Sequence, residues 1–129
     1  MATREERLGA NKASDCLVVV FIPSVDRDEK PIDQEAWVTA GLKMLGTLLT
    51  GGTAFPQGRG VWRDDSRDRL LIFDEPTLIQ CYTTEALVDQ HLDAVRDFML
   101  KMGSETNQGA VGIVIDGVYY EIKMGGTVP

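Results

Sequence analysis

Apolar positions fall along the chain in blocks of different period, and each period predicts an element. Cys16-Leu17-Val18-Val19-Val20-Phe21-Ile22 is an unbroken β-branched and apolar run closed by Pro23, the pattern of a central strand covered on both faces. A polar stretch, 24–32, follows, and Asp33 offers a side-chain oxygen to the free amides of a helix starting at Gln34. In that helix Trp37, Ala40, Gly41, Met44, Leu45 and Leu48 recur at helical spacing and make one broad face for a sheet. Gly51-Gly52 supplies a left-handed terminator.

From 53 to 82 the text shortens to extended pieces at 53–55, 60–62, 70–73 and 77–82, read as an antiparallel pair whose connecting turn is the charged run 63–69. Pro76 lacks a backbone donor, so a bulge or an edge is expected within the second arm near Glu75-Pro76. Thr83 or Thr84 caps a second helix, in which Leu87, Val88, Leu92, Val95, Phe98, Met99 and Met102 keep the helical period up to Gly103. Two final apolar runs, 110–115 and 118–122, flank Asp116-Gly117, a dipeptide suited to a two-residue hairpin turn. The order is β-α-β-β-α-β plus a C-terminal hairpin strand. It predicts an α+β, ferredoxin-like split βαβ fold, with an antiparallel sheet and two helices on one face. Residues 1–15 are expected to be a flexible segment, 16–123 a single domain and 124–129 a frayed tail.

The 129 residues, 43% of them hydrophobic with a mean hydropathy of -0.10, fit one domain with a core of its own. No apolar run approaches the roughly 20 residues of a membrane-spanning helix. The mixed-charge N-terminus lacks the apolar core of a secretory signal, which makes the cytoplasm the expected compartment. A net charge of -7 opposes tight nucleic-acid binding, and the arginine cluster 59–69 is neutralised by Asp64, Asp65 and Asp68. Cys16 and Cys81 each sit in a strand-like run without a ligand-spaced partner, as buried free thiols do.

The densest unusual text runs from Gly51 to Asp65. Its glycines follow a helix, where the dipole has the wrong sign for phosphate, and no phosphate-loop or dinucleotide pattern occurs. What remains is Arg59 between Gly58 and Gly60, free to approach an anion or a carbonyl, against the plainer reading of a glycine-rich turn. Of Val61 and Trp62, one faces the core and the other the open sheet or a partner. Arg63, Glu75, Tyr82 and Tyr120 complete the candidate ligand-binding set, with Tyr119 a further phenol of the final hairpin. Asp64, Asp65, Asp74, Glu75 and Glu121 are acids that the linear order does not force together, and His91 stands alone on its helix. No cofactor and no metal is expected.

The run Gly52-Thr53, then Gly60-Val61-Trp62-Arg63-Asp64, then Asp74-Glu75-Pro76 before an apolar strand and a helix resembles an uncharacterised family of small bacterial proteins. That family is a domain of unknown function with a Gly-x-Thr, Gly-x-Trp-Arg-Asp, Glu-Pro pattern. The resemblance spans about half the chain and implies a ferredoxin-like fold but no activity. Members often carry an export signal, which this chain does not show.

Three functions are expected in order. The first is a non-enzymatic binding or interaction protein whose open sheet face or terminal hairpin meets a second copy, as a homodimer, or a protein partner. The second is a small metal-independent enzyme acting on an anionic or carbonyl-containing small molecule around Arg59, with Glu75, Tyr82 or Tyr120 moving protons. The third is a magnesium-dependent nuclease or toxin using Asp64, Asp65 and Glu75.

Overall fold

The computed structural model describes residues 1–125. The chain runs α1 (Arg4–Leu8), β1 (Cys16–Ile22), α2 (Gln34–Leu49), β2 (Thr53–Phe55), β3 (Gly60–Asp64), a 3-10 turn (Asp65–Arg67), β4 (Leu70–Asp74), β5 (Thr77–Thr83), α3 (Glu85–Glu105), β6 (Ala110–Ile115) and β7 (Val118–Lys123). Strands β2, β5, β1, β6 and β7 form, in that order, one antiparallel sheet, and β3 and β4 form a separate two-stranded ribbon. The architecture is α+β. No helix among the described residues is long and apolar enough to cross a membrane.

Alternation along β1 explains where the core sits. Cys16, Val18, Val20 and Ile22 share one cluster with Ile79 and Cys81 of β5, Val111 and Ile113 of β6, and Val38, Leu45, Leu49, Val95, Met99 and Met102 of the helices. Period 2 in the strands thus meets period 3.6 in α2 and α3, which also pack on each other. β1 is buried on both sides near its middle, since Val19 on the opposite face is only 8% exposed.

Several boundaries differ from the sequence reading, each for a local reason. The segment expected to be flexible, 1–15, contains α1, capped by the Thr3 hydroxyl and closed by Gly9 at φ 66, with no buried residue. Helix α2 starts where Asp33 accepts from the Ala36 amide at 3.2 Å, as expected, but Thr50 and not a glycine takes the left-handed turn, at φ 77. Gly52 serves close approach instead: a Cβ there would lie 3.4 Å from Ile79 Cγ2 on β5. Helix α3, capped by Thr84, runs past Gly103 to Glu105, because Gly103 is buried against Met124 and Val111 and does not end the helix. Thr106 closes it, donating both its amide (3.0 Å) and its hydroxyl (2.6 Å) to the Met102 carbonyl. At the final hairpin Asp116 (φ 51) and Gly117 (φ 83) take the positive angles of the expected turn.

Two further expectations need correction. Pro76 does not bulge a strand but lies in the short junction between β4 and β5, where its carbonyl accepts from the Gly58 amide at 2.7 Å. The tail is not frayed from 124, because the Met124 amide donates to Gly109 and its side chain packs on the core; residues 126–129 lie outside the described residues.

Both cysteines are free and buried, and burial pushes both thiols above their ordinary range. Their reaction with an aromatic disulfide reagent is therefore expected to track unfolding, appearing only near the urea midpoint. Prompt reaction of either thiol in native buffer would contradict this packing.

Candidate functional site

The ribbon departs from the sheet after β2 and returns at β5, and this detour creates the site. Pairing of Trp62 with Ile72 and of Gly60 with Asp74 puts Trp62, Ile72 and Asp74 on one ribbon face and Val61, Leu71 and Phe73 on the other. Ile72 and Asp74 are buried, whereas Val61, Leu71 and Phe73 are exposed. The inner face lies over the helix-free side of the sheet. There Phe21 of β1 meets Tyr119 of β7 edge-on, with ring centroids 6.1 Å apart, and Trp62 comes to 6.4 Å from the same ring.

Between ribbon and sheet is a cleft of about 390 Å³, the size of many small-molecule sites. Phe21, Trp62 and Ile72 supply apolar wall, and Gly112 of β6 lies beside them. Arg27, Asp64, Asp74, Gln108, Glu121 and Lys123 bring polar groups to the same space. Burial, then the nearby Glu121 charge, pushes the Tyr119 phenol upward, so it remains a neutral hydrogen-bond donor at physiological pH.

Polar anchors hold the ribbon in place. Asp74 Oδ1 accepts from the Ser24 amide at 2.8 Å and from its hydroxyl at 2.6 Å, and Ser24 Oγ accepts from the Glu75 amide at 2.9 Å. At the far end, Arg67 donates to Asp28 (2.8 Å) and to the Arg27 carbonyl (2.9 Å), while Arg27 and Arg67 approach Asp64 Oδ2 at 3.4 and 3.6 Å. Hydrogen bonds from Ser66, then the two guanidinium charges, hold the Asp64 carboxyl below the ordinary aspartate range. Hydrogen bonds from Arg67 and Asn107 do the same for Asp28. A lowered folded-state pKa contributes stability above the unfolded value, so these anchors persist through neutral pH and loosen only in acid.

No family model matches the chain, and no curated protein matches it. Two solved structures share its fold. A phage SAM lyase in complex with S-methyl-5'-thioadenosine aligns with a TM-score of 0.66 at 17% identity, over 87% of this chain and 92% of that one. A phage SAM lyase in the apo state aligns with a TM-score of 0.59 at 13% identity, over 99% of both chains. At these identities the likeness is one of fold.

The expectation of a non-enzymatic interaction module is corrected by these findings. The solved structures sharing the fold are of an enzyme, one of them holding a small molecule. The physical motive also weakens, because this chain's own ribbon covers part of the sheet face that a partner was expected to cover.

The candidate residues named from sequence divide into three groups. Trp62 and Arg63 line the cleft, Arg63 at its rim with its Nε 2.6 Å from Asp65 Oδ1. Arg59 and Glu75, both exposed, border a separate, more open depression of about 650 Å³ with Val61 and Phe73. Tyr82 on β5 and Tyr120 on β7 line neither, and nor does His91. The cleft is thus not lined by Arg59, which stands between Gly58, whose amide donates to the Pro76 carbonyl, and Gly60, the first residue of β3. Asp64 and Asp65 are engaged by arginines and Glu75 lies in the other depression, so the expected magnesium set does not assemble. Among the described residues no three His, Cys, Asp or Glu side chains converge.

Sequence reasoning passed over Phe21 and Arg27 and saw Asp74 only as one acid among several. The available signal was the loop 24–32, which follows the central strand and carries Asp26-Arg27-Asp28, since loops leaving a rigid core are where function concentrates.

Proposed function

We propose that this chain is a metal-independent enzyme acting on S-adenosylmethionine in the cleft beneath the β3–β4 ribbon, breaking one carbon–sulfur bond to leave S-methyl-5'-thioadenosine. The observation that carries this reading is the cleft itself: a nucleoside-sized cavity with aromatic walls and a charged lining, on a fold shared with a phage SAM lyase. The lining holds three basic and five acidic side chains, a balance that favours a ligand of net positive charge. Aromatic rings of Trp62 and Phe21 in the lining, with Tyr119 packed beside both, suit both a purine ring and a sulfonium cation.

Bond breaking fits such a site. The substrate's own carboxylate oxygen closes on the carbon that sulfur leaves, forming a C–O bond as the C–S bonding pair departs with sulfur. The sulfonium and carboxylate charges cancel, and the products are a neutral thioether and an amino-lactone. Surroundings less polar than water favour that step, and the ribbon covers part of the sheet face from solvent. The strand order β2-β5-β1-β6, with α2 and α3 as the two crossovers, supports reading the scaffold as ferredoxin-like, with the ribbon and β7 as additions. Of the earlier alternative, the small metal-independent enzyme is kept, while its anionic or carbonyl substrate gives way to a sulfonium nucleoside and its Arg59 pocket to this cleft.

The test is incubation of purified protein with S-adenosylmethionine and EDTA, followed by chromatography and mass spectrometry. Formation of S-methyl-5'-thioadenosine is expected, with EDTA without effect. Trp62→Ala is expected to weaken nucleoside binding about tenfold or more, the scale of one lost aromatic stack of about 1–3 kcal/mol. No turnover above buffer, together with no calorimetric binding of either compound, would overturn the reading.

A further inference from the structure

The Arg27 guanidinium is incompletely used by the protein. Its Nε is buried and has no hydrogen-bond partner among the described residues, and its contact to Asp64, at 3.4 Å, is long for a charge-assisted bond. A buried donor left unpaired is costly, on the order of 1–3 kcal/mol, so native structures keep one mainly where something else supplies the acceptor. Arg27 lines the cleft. Its backbone is fixed on both sides, by its own amide donating to the Asn107 carbonyl (3.0 Å) and by its carbonyl accepting from Arg67 (2.9 Å). The side chain is therefore held at the cleft wall from a rigid base, with 31% of its surface exposed, so its planar fork can turn to an oxygen pair without moving the backbone.

We infer that Arg27 binds the carboxylate of the substrate's amino-acid moiety. The inference rests on the proposed reading of the cleft and goes beyond it by assigning a specificity residue. Asp64 does not forbid the carboxylate, because its charge is shared between Arg27 and Arg67 and its Oδ1 is taken by the Ser66 amide and hydroxyl. Of the two acids flanking Arg27 in sequence, Asp26 accepts from the amides of Asp28 (2.7 Å) and Lys30 (3.0 Å) and from the Asn107 amide group (3.4 Å), and Asp28 accepts from Arg67 (2.8 Å) and Asn107 (3.1 Å). One consequence is directional. S-methyl-5'-thioadenosine has no carboxylate, so bond cleavage removes the group that Arg27 holds and the nucleoside product loses that anchor.

Three probes separate this role from a purely structural one: S-adenosylmethionine, S-adenosylhomocysteine, which keeps the carboxylate but has a neutral sulfur, and S-methyl-5'-thioadenosine, which has neither charge. Calorimetry on the full chain is expected to show Arg27→Gln weakening the first two by about tenfold or more, the scale of a lost hydrogen bond to a charged group, with the third changed less than about twofold. Equal weakening of all three would show that Arg27 merely holds the ribbon and would overturn the inference. So would no weakening of any. Should Arg27→Gln lower the melting temperature to the assay range, Arg27→Lys keeps the charge beside Asp64 but lacks the planar fork. It is expected to show the same selective loss. Failure of the wild-type chain to bind any of the three compounds would instead overturn the cleft reading and the inference with it.

Discussion

Asp74→Ala is expected to destabilise the protein by about 3 kcal/mol, the scale of losing hydrogen bonds to a charged acceptor and leaving their donors unpaired. Asp74 is 6% exposed, and through Oδ1 it accepts both the amide and the hydroxyl of Ser24. That hydroxyl oxygen in turn receives the Glu75 amide, so one carboxylate ties the end of β4 to the chain just beyond β1. Alanine removes the acceptor from two donors at once and frees the Ser24 hydroxyl to rotate off Glu75. Asp74→Asn keeps an acceptor oxygen of the same shape and is expected to cost about 1 kcal/mol. Urea denaturation gives the stability difference, and hydrogen exchange locates it: faster exchange is expected at ribbon amides 60–74, with β1 and β5 amides still exchanging by global unfolding. Equal stability of the alanine and asparagine variants would show that this carboxylate does not anchor the ribbon.

Gly112→Val is expected to abolish the cleft while leaving the sheet paired. Gly112 sits on β6, and a Cβ built there would lie 2.7 Å from Tyr119 Cε2 and 2.8 Å from Cζ, so the ring must leave. Tyr119 touches Phe21 edge-on and adjoins Trp62, so its departure removes the support for both aromatic walls. Valine is a good strand residue, which leaves overpacking, typically about 1–3 kcal/mol, as the stability cost. Turnover in the cleft is expected to fall about 100-fold, as a displacement near 1 Å at a reacting site can do. Adding Tyr119→Ala vacates the space, so the double variant is expected to recover stability relative to Gly112→Val but not turnover. Lost stability without that recovery would place the strain elsewhere than at the ring.

The two predictions concern features that sequence reading handles unequally. Asp33 and Thr84 as caps, the apolar faces of α2 and α3, the strand Cys16–Ile22 and the turn at Asp116-Gly117 were all legible, because each depends on residues within a few positions of one another. The buried state of Cys16 and Cys81 was legible for the same reason, from the apolar strand-like run around each. Glycine was misread more than once. Gly52 and Gly103 resemble terminators in the linear text, yet both are where another element comes close, β5 in one case and Met124 with Val111 in the other.

The site lay beyond local pattern. Trp62 and Arg63 were singled out as unusual, but nothing in their neighbourhood shows that Trp62 meets Tyr119, 57 positions away by number. Arg59 drew attention through its flanking glycines, whereas Arg27 in a plain polar loop holds the unpaired buried donor. The sequence by itself determined the element types, most of their limits and the choice of one core face, because these follow from periodicity and from caps acting over a turn. Only the tertiary structure decided that β3 and β4 leave the sheet, that Ser24 and Asp74 tie them back across fifty residues, and that a cleft forms beneath them. Those outcomes depend on long-range pairing and steric exclusion, which are properties of residues brought together by the fold and carry no signature in their spacing along the chain.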